Sequence, residues 1–451
     1  MDTGDTAWVL ASAALVLLMT PGLAFFYGGM VRTKSVLNMM MMSFSSLAII
    51  TVLWVLYGYS EAFGDSVGGS GLVGDPSQFL GLKDIIGIGR SDTTFGQSTH
   101  LVFTIPALAF VAFQLVFAII TVALISGAIA DRAKFSTWCI FSAIWATVVY
   151  FPVAHWVFAF DGATAGEDSV GGWVANQLKA IDFAGGTAVH INAGAAGLAL
   201  SLVIGKRIGF GKEPMRPHNL TLVMLGAGLL WFGWFGFNAG SALGANGIAA
   251  VAWVNTVTAT AAAALGWLAT EKFRDGHATS LGAASGVVAG LVAITPACSS
   301  VTPVGAILLG FLAGIICALA VGLKYTFGYD DSLDVVGVHL VGGLFGTIAI
   351  GFLASADAPA GVDGLLWGGG VDQLWRQCVG AFAVLAYSFI VTYIIGYALH
   401  KTIGFRITEE EEIDGIDFAE HAETAYDLIA GGGSGTFRPT TSVKTDAEVS
   451  A

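Results

Sequence analysis

Eleven times along this chain an apolar stretch recurs that is long enough to cross a hydrocarbon layer, which takes about 20 residues of helix. The runs fall at 7–30, 36–60, 100–130, 137–160, 184–204, 219–243, 248–270, 278–296, 303–326, 335–354 and 374–400. A backbone inside lipid must satisfy its own hydrogen bonds, so runs of this length and number admit a helical bundle and little else. With 55% of residues hydrophobic and 11% charged, the remaining sequence only connects them. The fold class is therefore an all-α polytopic membrane protein with eleven transmembrane helices. The first run is read as a span and not as a signal peptide, because Asp2 and Asp5 stand where such a peptide carries positive charge.

Basic residues set the orientation, since Lys and Arg concentrate in cytoplasmic loops. With the N-terminus outside, the inner loops hold Arg32, Lys34, Arg132, Lys134, Lys206, Arg207, Lys212, Arg216, Lys272, Arg274, Lys324, Lys401 and Arg406. The outer loops hold only Lys83, Arg90, Lys179 and Arg376. This places the C-terminus in the cytoplasm of a cell whose plasma or inner membrane the chain crosses. The net charge of −13 says little about substrate, because many of the acids lie after residue 406, in the tail. Cys139, Cys298, Cys317 and Cys378 show no paired spacing and read as packing residues.

Two histidines stand inside apolar runs and are written alike: Val189-His190 followed by Gly194 and Gly197, and Val338-His339 followed by Gly343 and Gly346. The shared V-H-x3-G-x2-G pattern points to one device built twice. An ionisable side chain in a membrane helix is expensive and usually faces a partner or a cavity. At about 1.5 Å per residue, His190 lies roughly 12 Å inward of Asp182, and His339 roughly 7 Å from Asp334 on the opposite side. The first half of the chain (1–204) and the second (205–356) would each hold five spans. An odd number of spans gives the halves opposite topology, and so an inverted repeat with its site near the midplane. Residues 357–406 form the eleventh span, 407–430 a cytoplasmic tail and 431–451 a Gly/Ser/Thr-rich end expected to lack fixed structure.

Desolvation favours the neutral imidazole, so a buried pair offers donors and lone pairs without stationing charge. Such a site suits a small polar molecule or a proton relay. Zinc would want a third ligand at suitable spacing, and no H-E-x-x-H or comparable cluster is present. Haem stays open on the residues alone, because His pairs are ordinary axial ligands and His100 and His155 add two more. Aromatic residues give a second clue: Trp231, Phe232, Trp234, Phe235 and Phe237 crowd the start of the segment that continues Asn238-Ala239-Gly240-Ser241. Phe113 and Phe117, at i and i+4, share a helix face. The rings either pack the core or form a cation-attracting mouth above a stack that excludes water.

Six segments carry a resemblance: PGLAFFYGGMVRTKSVLN (21–38), DFAGGTAVHINAG (182–194), GFGKEPMRPHN (209–219), WFGWFGFNAGSA (231–242), TPAC (295–298) and DDSLDVVGVH (330–339). Together they resemble the Amt/MEP/Rh ammonium transporter family, specifically its bacterial Amt branch, from residue 6 to about 427. The resemblance implies two inverted five-helix repeats plus a C-terminal helix, a homotrimer, and a pore through each subunit. It implies that His190 and His339 are the twin pore histidines and that Phe113, Phe158, Ser241 and Asp182 form the outer recruitment site. Phe117 and Phe237 correspond to the phenylalanine gate, and Trp234, Asn238 and Thr295 are candidate pore-lining residues. Phe158 departs from the pattern, since relatives commonly carry Trp there. Trp156 is the neighbouring residue placed to compensate.

The resemblance implies ammonium recruitment outside, deprotonation at the gate and passage of ammonia, with or without the proton, through the lumen. Asp182 reads equally as an electrostatic partner and as a helix cap. The tail, from Glu409-Glu410-Glu411-Glu412 to Tyr426, reads by composition as a solvated acidic segment. By resemblance it is a regulatory segment that packs under neighbouring subunits and cooperates with a trimeric P-II signal protein. Neither a catalytic residue nor a metal or other cofactor is expected, and the partners are ammonium or ammonia, lipid, sister subunits and P-II, without nucleic acid. The alternative is a membrane ammonium sensor of the same fold, for which a tail of about 45 residues reads as too short to hold a signalling domain. Conduction of carbon dioxide, suggested for Rh relatives, fits the Amt-like segments less well.

Overall fold

The computed structural model describes residues 1–86 and 101–426. Its membrane helices, in chain order, are α1 (Thr3–Met30), α2 (Val36–Phe63), α3 (Ala107–Ile129), α4 (Phe135–Phe158), α5 (Gly186–Ile204), α6 (Leu220–Gly240), α7 (Gly247–Asp275), α8 (Ser280–Ile294), α9 (Pro303–Phe327), α10 (Val336–Leu353) and α11 (Asp372–Thr402). Ten of them are long and apolar enough to span, and α8 is the short one. It stops at Ile294 because Pro296 follows and cannot supply the next helical donor. Each expected run thus corresponds to a helix. The run read as beginning at 100 starts instead as a small antiparallel hairpin, Leu101–Val102 against Ile105–Pro106, and turns helical only at Ala107. His100, Arg90 and the 431–451 end fall outside the described residues.

The starts of α6 to α9 are set by side-chain caps. Asn219, Asn246, Thr279 and Thr302 open α6 to α9, each accepting the N–H three residues on. Packing then follows the small residues, as expected where lipid gives helices no hydrophobic reason to associate. Gly226 of α6 lies on the backbone of Phe26 in α1, and Gly310 and Gly314 of α9 lie on Ala259 and Ala263 of α7. The first helices of the two sequence halves, α1 and α6, pack together along their length. The last ones, α5 and α10, meet at the histidines. There Gly194 sits where a Cβ would come 2.5 Å from the Leu340 nitrogen, and a Cβ on Gly343 would come 3.1 Å from that of His190. Gly194 and Gly343, the first glycine of each motif, therefore make room for the other half's histidine segment. The long α11 braces this pair from outside, with Ser388 donating to the Asn192 carbonyl and Trp145 of α4 to Thr392.

On the face that carries the tail, a buried ion cluster ties three loops together: Arg207 contacts Asp330 at 2.9 Å and Asp131 at 3.0 Å. Arg132 donates to the Asp330 carbonyl and to Ser332. The tail is docked on this face of its own chain, in two short helices, α12 (Glu409–Asp414) and α13 (Ile416–His421). Asp417 accepts the N–H groups of Leu37 and Asn38 at the start of α2, Glu420 that of Phe135 at the start of α4, and Glu412 that of Ile208. Asp417, Glu420 and Glu412 are thus helix and loop acceptors, while Glu409, Glu410, Asp414 and Glu423 stay exposed as the composition suggests.

Candidate functional site

Two turns of unusual winding position the histidines. The segments Gly186–Ile191 and Val336–Leu340 are both π-helical, and they open α5 and α10 respectively. A π-turn widens the helix by one residue and is a recurrent feature of functional sites. The wider turn carries each ring toward the interface between the halves. His190 and His339 meet there with Nδ1 to Nδ1 at 3.3 Å, ring centroids 5.4 Å apart and planes 22° from parallel. Such a contact requires one ring to donate and the other to accept, so a neutral pair holds one proton between the two Nδ1 atoms. The spacing leaves no gap for a macrocycle between the rings. His155 is elsewhere, bonded through Nδ1 to the Ala62 carbonyl. Among the described residues, no group of three or more His, Cys, Asp or Glu could hold a metal ion.

Aromatic rings continue outward from this pair. Trp234 stacks on His190 at 5.4 Å and 16°, and Phe237 lies 6.0 Å from it. Phe117 covers Phe237 at 4.2 Å, and Phe113 lies 4.9 Å from Phe117. Above Phe117 opens a cavity of about 690 Å³ whose wall includes Phe113, Phe117, Phe158, Asp182 and Ser241. Beneath Phe237 the space shrinks to about 10 Å³ among Val189, His190, Trp234, Phe237 and His339, which is room for about one water. A second space of about 10 Å³ continues inward between His339, Tyr27, Ser285 and Asp334.

The remaining expected residues take definite places. Ser241 lines the cavity and donates to the Phe237 carbonyl. Thr295 lies behind Trp234 and accepts its indole N–H at 2.8 Å, while Asn238 donates to Thr256 of α7; neither is in the wall of the described lumen spaces. Trp156 turns away from the outer cavity, donating to the Leu72 carbonyl and packing on Trp173 and Tyr387. It does not stand in for a ring at Phe158. Asp182 accepts the N–H groups of Gly185, Gly186, Thr187 and Ala188, at 2.8, 2.6, 2.7 and 3.2 Å, and also the Thr187 hydroxyl. Gly185 allows this wrap by adopting φ 119°, which a residue with a Cβ rarely tolerates.

Three residues were not singled out from the sequence. Gln114, beside Phe113, lines the outer cavity with a buried carbonyl oxygen that has no partner. Tyr27 lines the inner space and donates to the Leu124 carbonyl. Asp331 is the inner counterpart of Asp182, accepting the N–H groups of Val335 and Val336. A signal for it is present, since the same D-x7-H spacing joins Asp182 to His190 and Asp331 to His339. Asp334, used above as the reference for depth, pairs instead with Lys324 at 2.7 Å.

Comparison with known proteins agrees with this geometry. A sequence profile described as the Ammonium Transporter Family matches residues 7–426. An "Ammonium transporter" of Mycobacterium tuberculosis is 63% identical over 96% of this chain and 92% of its own length. One of Bacillus subtilis is 46% identical over 94% and 99%. Among solved structures, Candida albicans Mep2 superposes with a TM-score of 0.80 at 34% identity, covering 91% of this chain and 88% of that one. A chain titled "Sensor Amt Protein" gives 0.81 at 28%, covering 93% and 98%. By whole-length sequence match and by fold, this chain belongs to the ammonium transporter family, whose members are multi-pass membrane transporters and not enzymes.

Proposed function

We propose that the chain recruits ammonium at the outer aromatic cavity, removes a proton from it at the Phe117–Phe237 pair, and conducts ammonia past His190 and His339, with or without that proton. The observation that carries this reading is the unbroken column of rings from Phe113 through Phe117 and Phe237 to the two imidazoles, joining a 690 Å³ mouth to a lumen of about 10 Å³. At the mouth, Phe113 and Phe158 offer ring faces to a cation. Ser241 Oγ and the unpartnered Gln114 carbonyl offer acceptors for its N–H groups. Asp182 holds the start of α5 in place, because its lone pairs are taken up by backbone donors, and adds a fixed negative charge nearby.

Below the gate an intact cation would cost at least about 2.5 kcal/mol, whereas neutral ammonia can hydrogen-bond along the imidazoles. Potassium has no proton to leave behind, so this barrier separates two ions of similar size. The test is current in proteoliposomes after an ammonium pulse, with potassium and His190→Ala as controls. Ammonium-selective current that the variant lacks supports ammonia moving with its proton; alkalinisation without current supports passive ammonia flow; neither signal refutes transport. The likeness to the chain titled "Sensor Amt Protein" supports a second reading, in which the same mouth serves ammonium sensing.

The same reading places the chain in the plasma or inner membrane as a homotrimer with its N-terminus outside. Apolar side chains exposed on α6, α7 and α9, such as Phe232, Leu265 and Val304, suit lipid and sister subunits. The docked tail is the proposed contact for a P-II-type protein. Deleting residues 409–451 is expected to abolish P-II-dependent inhibition, and retained inhibition refutes this role.

A further inference from the structure

The outer cavity is far larger than its proposed cargo requires. Ammonium is about the size of a water, whose share of liquid volume is about 30 Å³, while the cavity measures about 690 Å³, well inside the roughly 300–1,000 Å³ range of sites for drug-sized ligands. Six phenylalanines contribute to its wall, Phe110, Phe113, Phe117, Phe158, Phe160 and Phe183, beside polar groups such as Gln114, Ser241 and Gln373. The charges on the wall nearly cancel. Asp372 is paired with Arg376 at 2.8 Å, Asp182 is wrapped by backbone donors, and Lys179 is the other cation. A chamber with six phenyl rings and balanced charges suits a cation that is large, weakly hydrated and apolar. Rings around a quaternary ammonium are the established form of such recognition.

We propose that this vestibule binds bulky organic ammonium ions and that they block the pathway without passing it. The floor of the chamber is the Phe117–Phe237 contact at 4.2 Å, and the space beneath holds about 10 Å³. A quaternary nitrogen also has no proton to surrender, so it meets the gate both as an oversized body and as a permanent charge. The inference rests on the proposed function for its consequence, blockage, but not for its binding, which depends on the chamber alone.

The experiment uses benzyltrimethylammonium on the full-length purified protein, first by calorimetry and then as an external addition to proteoliposomes carrying ammonium flux. Expected results are saturable binding, weaker binding of choline and weaker still of tetramethylammonium, and a competitive rise in the apparent KM for ammonium with the maximal rate unchanged. Phe158→Ala should weaken benzyltrimethylammonium binding by about threefold to tenfold. Absence of binding overturns the proposal even where ammonium transport is normal. Uptake of benzyltrimethylammonium, or inhibition that excess ammonium does not relieve, overturns the blocking role. Absent ammonium flux with binding intact counts against the transport reading only, and the calorimetric arm still decides this one.

Discussion

The two ends of the histidine column use the same device in opposite surroundings. On the outside, Asp182 is wrapped by four backbone N–H groups and a hydroxyl and lies in the wall of a 690 Å³ chamber. On the inside, Asp331 is almost fully buried and accepts two backbone N–H groups, and Lys324, paired with Asp334, also donates to its carbonyl. The passage beside it, between Asp334 and His339, holds only about 10 Å³. Both carboxylates start a π-turn that aims a histidine at the other half. What differs is access: Asp182 also lines the large cavity that the proposed function gives to a waiting cation, whereas Asp331 is buried and only positions. Inverted halves can thus keep one local design while the loops around them make the two approaches to the histidines unequal.

The comparison breaks most severely at the point the halves share. His190→Asp places a charge in the lumen and is expected to raise potassium current at least about tenfold, a change of about 1.4 kcal/mol in barrier; unchanged selectivity in liposome recordings would sink the filtering role of the imidazoles. Next in size is Asp182. Removing its acceptors in Asp182→Ala should cost about 2 kcal/mol of stability, visible as a lower melting temperature. Asp182→Asn keeps part of the cap and loses the charge, so an ammonium KM within twofold of the parent would assign Asp182 to positioning alone. Phe158→Trp should act more mildly, lowering the apparent KM for ammonium about threefold through a better cation–π face. A KM that does not fall would remove Phe158 from the recruitment site.

The last effect concerns the inner copy and is read as a slope with pH. Burial pushes the Asp331 carboxyl up to about 7 against the pull of Lys324, whereas an unfolded Asp titrates near about 3.9. Between those values the fold keeps a proton that the unfolded chain has released. The contribution of this group to stability therefore falls as pH rises from about 4 to about 7 and is level above. Melting temperatures from pH 4 to 8 should show that slope in the parent and a shallower one in Asp331→Asn. Equal slopes would mean that the inner carboxylate is not the group titrating.

The spans were legible in the sequence because lipid leaves the backbone a single solution, and the histidines because their glycine context is written twice. Other features depend on partners far away in the chain. Trp156 reads as a spare ring for the mouth, yet its indole finds Leu72 and turns aside. Asp331 hides next to Asp334 in an acid-rich segment, and only the matched distance to its histidine separates them. Asp417, Glu420 and Glu412 read as part of a solvated run because their acceptor role is defined by N–H groups at Leu37, Asn38, Phe135 and Ile208, none of them nearby in sequence. The π-turns leave no periodic mark, since one extra residue per turn is invisible in a uniformly apolar run.

The reciprocal glycines have a consequence for how such a chain can change over time. A side chain gained at Gly343 would press on His190, and one gained at Gly194 on the backbone beside His339. Damage at either glycine is thus felt in the opposite half, and so is any remedy. The two halves must drift as a pair, and a substitution accommodated in one lineage should disturb the histidine packing when moved alone into another.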